Sequence, residues 1–87
     1  MALGMLNVII NENLYDHEFV DCWTYGFDEL KEHVQEWTPE RVAEVCWVEA
    51  DDIREAARLI AVADGCVFQW GVAVDMQKNA VAAGHAI

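Results

Sequence analysis

Apolar residues recur at helical spacing through the first 64 residues, and this pattern predicts a mostly helical chain. Between Ala2 and Asn11 the apolar positions fall on one side of a helix, and a similar one-sided pattern follows in four later stretches. We therefore expect about five helices, over residues 2–11, 16–23, 27–37, 38–46 and 51–61. The buried face of the last of these is predicted to consist of Ile53, Ala56, Ala57, Ile60 and Ala61.

The helix starts are marked by residues that suit a first turn. Thr38 is placed to accept a backbone N–H as an N-cap, and Pro39 fits the next position because it has no N–H to satisfy. Asp16 is a second candidate N-cap. Asp51 and Asp52 suit the positive end of a helix dipole. Asp64-Gly65 then predicts a turn that ends the helical part.

The run from Cys66 to Trp70 breaks the helical pattern. It is almost continuously apolar, which is typical of a strand covered on both faces. We therefore predict an α/β fragment with one buried strand near 66–71 that belongs to a larger parallel sheet. Because backbone N–H and C=O groups need partners, such a chain is either cut from a larger protein or must oligomerise to complete its sheet. After Asp75 the pattern is helical again, through Val81, Ala82 and His85.

Charge divides the chain into two parts. The 87 residues carry 16 acids and 5 bases, a net charge of -11, yet 55% of them are apolar. The apolar fraction excludes an acidic disordered tail, and the charge argues against a nucleic-acid or anionic-membrane partner. Residues 1–64 hold the whole negative charge, whereas 65–87 are neutral, with Asp75 and Lys78 as their charged residues. We therefore expect a single partial domain, made of an acidic helical part (1–64) and a strand-loop-helix part (65–87).

Cysteine usage and the termini suggest neither a metal site nor targeting. Cys22, Cys46 and Cys66 form no CxxC pair, and we predict buried, inert thiols. The first ten residues lack a basic segment and a cleavage site, so no targeting signal is expected and the cellular location is left open. No apolar run approaches the length of a membrane span. The four tryptophans are predicted to anchor the core: Trp23, Trp37, Trp47 and Trp70.

The candidate chemistry lies after the predicted strand. Gly71 stands at its carboxyl end, where ligands approach open α/β sheets, although an ordinary loop glycine is the alternative. A polar cluster follows at Asp75, Gln77, Lys78 and Asn79. It is either a set of ligand contacts or an N-cap at Asp75 with a solvated first turn. No dinucleotide fingerprint or phosphate-binding loop is present.

An ordered set of short motifs runs through the chain. The motifs are Leu14-Tyr15-Asp16, Phe19-Val20, Thr24 with Gly26-Phe27 and Leu30, Pro39-Glu40 with Ala43-Glu44, and Ile53 with Ala56-Ala57-Arg58. In this order they resemble the catalytic subunits of molybdopterin oxidoreductases of the dimethyl-sulfoxide-reductase type. The resemblance covers essentially the whole chain, with the loop form WGVAVDMQ most similar to the branch that includes acetylene-hydratase-like enzymes.

The resemblance implies that the segment forms part of the wall of a bis-molybdopterin guanine dinucleotide site that holds molybdenum. Gly71 and Val72 would contact the cofactor by backbone. Asp75, Met76 or Gln77 would supply a side-chain contact, and the register leaves open whether Met76 or Gln77 does so. The family's iron–sulfur cluster and molybdenum ligand belong to other regions. This segment would therefore hold no metal ligand and no catalytic residue, and it would be inactive alone.

Two hypotheses remain from the sequence. In the first, the chain is an enzyme fragment whose partner is the rest of the parent catalytic subunit, and the isolated piece self-associates. In the second, it is a small free-standing acidic helical protein that oligomerises through residues 65–87 and acts as a binding or assembly module. The neutral apolar tail suits both.

Overall fold

The computed structural model describes residues 1–69 and 71–87, and within these residues the chain forms α-helices and loops. The helices are α1 (Ala2–Asn11), α2 (His17–Trp23), α3 (Phe27–Val34), α4 (Pro39–Cys46), α5 (Ala50–Val62), α6 (Val72–Asp75) and α7 (Ala80–Ala86). The five predicted helices correspond to α1–α5, although α3 ends three residues earlier than expected. Helix α7 matches the helical pattern after Asp75, and α6 was not predicted.

Helix α1 lies at the centre of the fold. It packs against α3, α4 and α5, while α4 also packs against α5 and α6 packs against α7. The apolar core consists of Val8, Ile10, Val34, Val42, Ile53 and Ala57. These positions include Ile53 and Ala57 from the predicted inner face of α5, so the helical spacing identified the central part of that face.

Two close contacts hold α1 against its neighbours. A Cβ built on Gly4 would lie 2.9 Å from Val42 Cγ2, so the absence of a side chain allows α1 and α4 to approach each other. The buried Asn7 donates a hydrogen bond from Nδ2 to the carbonyl oxygen of Val34, at 2.8 Å. The same carbonyl also accepts from the Trp37 N–H at 3.0 Å, so Asn7 adds a second hydrogen bond to the end of α3.

The predicted helix starts are confirmed in detail. Asp16 accepts a hydrogen bond from the Phe19 N–H at 2.9 Å and caps α2. Thr38 Oγ1 accepts from the Arg41 N–H at 3.3 Å, and Pro39 is the first residue of α4. These bonds satisfy N–H groups that have no partner inside the helix.

The prediction of a buried strand near 66–71 was wrong. Residues 66–69 form no strand, and the part of the chain that the structure describes contains no sheet; Trp70 lies outside it. The run is also exposed, with 92% of Val67 accessible to solvent. A strand exists only when its backbone pairs with another strand, and the apolar composition of these residues provides no such partner. The α/β assignment, with a parallel sheet, is therefore replaced by an α-helical fold.

The tryptophan and cysteine predictions also need correction. Trp23 and Trp47 are exposed rather than core anchors, Trp37 is partly buried, and Trp70 is the residue that is not described. The thiols are free, but Cys22 and Cys66 are exposed and Cys46 is half-buried. Apolar character alone therefore overestimated how much of the chain is covered. None of the helices in 1–69 and 71–87 is long and apolar enough to cross a membrane.

Candidate functional site

The candidate loop follows a tight change of direction after α5. Helix α5 ends at Val62, and Gly65 adopts a φ of 95°, a left-handed conformation that favours glycine. The chain then runs through residues 66–69 and reaches Gly71, which precedes the first residue of α6. The turn predicted at Asp64-Gly65 is therefore present, and it sets where the loop begins.

The five residues predicted to contact a cofactor lie in one short stretch. Gly71 is the N-cap of α6, Val72 and Asp75 are its first and last residues, and Met76 and Gln77 follow directly. All five are exposed. Asp75 closes α6 and Asn79 precedes α7, so the alternative in which Asp75 caps the last helix is wrong.

Helix α6 separates these residues onto two sides. Val72 and Met76 are four positions apart, a spacing that places both on one helix face, and they are 71% and 80% exposed. Val74 and Gln77 are three positions apart, and both line a groove against the helical bundle. Met76 and Gln77 thus lie on different sides of α6, and the contact of either residue with a cofactor stays a prediction.

Glycine at position 71 has no explanation within the described chain. Its φ of -107° and ψ of -178° are extended values that any residue adopts. A Cβ added there would have no atom within 4 Å. Neither backbone conformation nor packing among these residues therefore requires glycine, and the space beside Gly71 is open to a group from outside.

Two apolar grooves border the C-terminal end of α7. The larger has a volume of about 430 Å³ and lies between α7 and the ends of α1 and α4, with Gln77 and Asn79 as polar lining residues. The smaller, about 340 Å³, lies towards α5 and includes Phe68. The sequence did not predict that Val74 and Asn79 line a groove together with Gln77. The signal that could have suggested it was their short distance from Gln77 along the chain.

Trp37 contributes an unusual polar group beside the larger groove. Its Nε1 is buried and has no hydrogen-bond acceptor among the residues described, while its ring lines the groove. The guanidinium carbon of Arg41 lies 4.6 Å from the centre of that ring. An unpaired buried N–H has a free-energy cost, and the sequence could not reveal it because it depends on tertiary surroundings.

Two arginines of α5 form ion pairs within the helical bundle. Arg58 donates two hydrogen bonds to Glu12, at 2.6 and 2.8 Å, and these bonds lower the pKa of the Glu12 carboxyl. The backbone N–H of Glu40 and the Arg54 guanidinium lower the pKa of Glu40. Arg54 also contacts Asp51 at 3.0 Å. These pairs tie α5 to α1 and α4, so both arginines are already engaged.

No group of three or more His, Cys, Asp or Glu side chains is placed to hold a metal ion within residues 1–69 and 71–87. What the loop offers is an open glycine, exposed Val72 and Met76, and the polar side chains of Asp75 and Gln77.

Comparison with known proteins places this fold within much larger enzymes. No protein-family profile matches the chain. Acetylene hydratase of Syntrophotalea acetylenica is 52% identical over 95% of this chain and 11% of its own length. Formate dehydrogenase H of Escherichia coli K12 is 46% identical over 82% of this chain and 10% of its own length. Trimethylamine-N-oxide reductase of Vibrio parahaemolyticus is 45% identical over 67% of this chain and 8% of its own length.

The solved structure of acetylene hydratase from Pelobacter acetylenicus contains the same fold. It superposes with a TM-score of 0.93 and 50% identity, over 98% of this chain and 12% of the other. The chain thus spans about a tenth of the length of the relatives it matches. The chain belongs to the molybdopterin oxidoreductases of the dimethyl-sulfoxide-reductase type, and it corresponds to an internal segment of their catalytic subunits.

Proposed function

We propose that this segment forms part of the wall of a bis-molybdopterin guanine dinucleotide site in its parent enzyme. Gly71 and Val72 contact the cofactor through their backbone, and the parent is an oxidoreductase or a hydratase of the related branch. When bound, the cofactor would supply the molybdenum centre at which the substrate reacts. The residues of this chain bind and orient the cofactor, and the iron–sulfur cluster of the parent takes its ligands from other regions.

The observation that carries the proposal is the unexplained glycine at position 71. Its backbone conformation suits any residue, and nothing in the described chain occupies the space of a Cβ. A glycine with no internal reason is expected where another group comes close to the backbone. A pterin or nucleotide ring lying against Gly71 would supply that reason.

The orientation of α6 supports Met76 over Gln77 as the side-chain contact. Met76 shares its face with Val72 and is 80% exposed, whereas Gln77 lines the groove beside the bundle. A methionine thioether is polarizable and adapts to flat ring surfaces. Asp75 adds a carboxylate that accepts hydrogen bonds, which suits N–H groups of a guanine or pterin rather than a phosphate.

The proposal is tested by adding side chains at two glycines of the full-length enzyme. Gly71→Ala and Gly71→Val are compared with Gly84→Ala, because a Cβ meets no atom within 4 Å at either glycine. We expect the Gly71 variants to lose molybdenum and guanine nucleotide, measured in the purified protein, with the larger loss for valine. Gly84→Ala and Glu32→Ala should keep both. Full cofactor content in Gly71→Val would refute the assignment.

A second pair of variants tests the side-chain assignment. Met76→Ala should lower cofactor content or accelerate cofactor release, while Gln77→Ala should leave both near the wild-type level. The reverse result would move the contact to Gln77 and would leave the role of Gly71 intact. The Gly71 variants therefore test whether the loop contacts the cofactor, and the Met76 and Gln77 variants test which side chain does so.

The alternative of a free-standing oligomeric module has less support. The similarity extends over nearly the whole chain and places it inside much longer enzymes. We further propose that the 87 residues alone are catalytically inactive, since the family's molybdenum ligand and cluster-binding cysteines lie in other regions. An assay of the isolated chain that showed turnover would contradict this proposal.

A further inference from the structure

Trp47 occupies a backbone conformation that is unfavourable for its side chain. It directly follows α4 and has a φ of 58° and a ψ of 44°. The Trp47 N–H donates to the Ala43 carbonyl at 2.9 Å, and the Val48 N–H approaches the same oxygen at 3.4 Å. This is the left-handed helix end that is usually occupied by glycine, because a Cβ is disfavoured there.

The Trp47 side chain makes almost no contact within the described residues that could offset this backbone strain. It is 93% exposed, and Val45 beside it is also exposed. The comparable position is Asn13, with a φ of 60°, but asparagine tolerates this conformation well. A large aromatic side chain that is both strained in its backbone and open to solvent is best explained by a contact outside the described residues.

We propose that Trp47 is an anchor that inserts into an apolar pocket formed by another part of the same polypeptide. The chain covers only 11–12% of acetylene hydratase, so most of a polypeptide of this kind lies outside the segment and is available to form the pocket. Exposed Glu44 and Glu49 flank the tryptophan, so the rim of the pocket carries basic or hydrogen-bond-donating groups. Tryptophan is well suited to this role because it buries a large rigid surface.

The test uses hydrogen exchange at the end of α4 in the full-length enzyme. Trp47→Asn relieves the backbone strain and removes the ring, whereas Trp47→Phe keeps an aromatic anchor. If Trp47 is docked, Trp47→Asn should accelerate exchange of the Trp47-position and Val48 amides by about 30-fold, the effect of losing a binding hot spot. Trp47→Phe should show a much smaller change.

The direction in which amide exchange changes in Trp47→Asn shows whether Trp47 is docked. Without docking, asparagine suits the left-handed position better than tryptophan, and exchange in Trp47→Asn should be unchanged or slower; that result would overturn the proposal. Asn13→Gly is the matched control. It also places a favourable residue at a positive φ but removes no aromatic ring, so exchange at the end of α4 should not change.

A measurement on the unmodified enzyme covers the case in which the variants fail to fold. Hydroxyl-radical labelling of Trp47 should be much slower in the native full-length enzyme than in the urea-unfolded enzyme, and equally slow after dilution. Equal labelling of native and unfolded enzyme would refute the anchor. Protection that disappears on dilution would assign Trp47 to an interface between two copies, and so would overturn the proposal for the same polypeptide.

Discussion

Asn7 is the buried polar side chain that connects α1 to the end of α3. Its Nδ2 donates to the Val34 carbonyl at 2.8 Å. We expect Asn7→Ala to lower the free energy of unfolding by about 1 kcal/mol, the net value of one buried hydrogen bond, because the Val34 carbonyl keeps its bond from the Trp37 N–H. Urea unfolding of the 87-residue chain measures this. Asn11, one turn later, is the exposed control: its Oδ1 accepts from Gln35 Nε2 at 3.2 Å in contact with solvent, so Asn11→Ala should change the free energy by less than about 0.5 kcal/mol. Equal effects would refute the role of the bond.

The Glu12–Arg58 pair predicts a dependence of stability on acid. Hydrogen bonds from Arg58 hold the pKa of Glu12 below its ordinary value of 4.5. The pair therefore stabilises the fold above that value, and its contribution is lost as the pH falls through the lowered pKa of the folded state. Thermal unfolding of the wild type and Glu12→Gln should differ at neutral pH and converge in acid. Because both side chains reach solvent, the difference should also shrink at high salt.

Two further measurements test the Glu12–Arg58 pair. A difference between the wild type and Glu12→Gln that grows as the pH falls would contradict the sign of the pKa shift. Arg58→Met should reproduce the neutral-pH effect of Glu12→Gln, and the double variant should add little to either single change.

At the scale of helices, Gly4 sets the distance between α1 and α4. A Cβ at this position would lie 2.9 Å from Val42 Cγ2. We expect Gly4→Ala to lower the free energy of unfolding by about 1–3 kcal/mol through overpacking, although alanine is the better helix former. Gly84→Ala in α7 meets no atom within 4 Å and should be neutral or stabilising by up to about 1 kcal/mol. Val42→Ala should rescue part of the Gly4→Ala loss.

Helix ends were predictable from the sequence because their chemistry is local. Asp16 and Thr38 each bond an N–H three residues ahead, and Pro39 stands where no N–H is needed. The predicted strand failed because strand formation depends on a partner that is distant in sequence. An apolar run such as Cys66–Gln69 indicates that its side chains avoid water. It does not indicate whether another strand is present to pair with its backbone.

The sequence singled out the candidate loop as a stretch, but it did not predict how the side chains of that stretch are oriented. Gly71 and the residues after it stood out against the acidic helices that precede them. Which of Met76 and Gln77 shares a face with Val72, and which lines the groove, depended on α6, a helix of four residues that no helical pattern in so short a window could reveal. The strained position of Trp47 was equally invisible, because a left-handed φ is a property of the folded backbone.

At the scale of the whole molecule, exposed apolar side chains occur along the chain from α2 to α7. In residues 1–64 they include Phe19, Trp23, Tyr25, Val45, Trp47, Leu59 and Val62, and in the last part Val67, Phe68, Val72, Met76 and Val81. Surfaces of this kind mark contacts with other protein rather than a finished exterior. Their distribution agrees with a segment that aligns to about a tenth of a larger enzyme.

The two parts of the chain should differ in how they associate when the segment is isolated. Residues 1–64 carry the whole charge of -11, which repels a second copy, whereas 65–87 are neutral and richer in apolar residues. We therefore expect the 87-residue chain to self-associate through 65–87, with a mass that rises with concentration in size-exclusion chromatography with light scattering. Replacing Val67, Val72 and Val81 by serine should restore the monomer.

A matched set of substitutions in the acidic part distinguishes charge from apolar area. Replacing Phe19, Trp23 and Tyr25 by serine should leave the association unchanged, because negative charge already keeps the acidic parts of two copies apart. Salt provides an independent check: association through the neutral part should hardly respond to ionic strength, whereas association through the acidic part should strengthen as its repulsion is screened over about 8 Å at 0.15 M salt. A monomer at all concentrations, or association that appears only at high salt, would show that residues 65–87 do not form the contact.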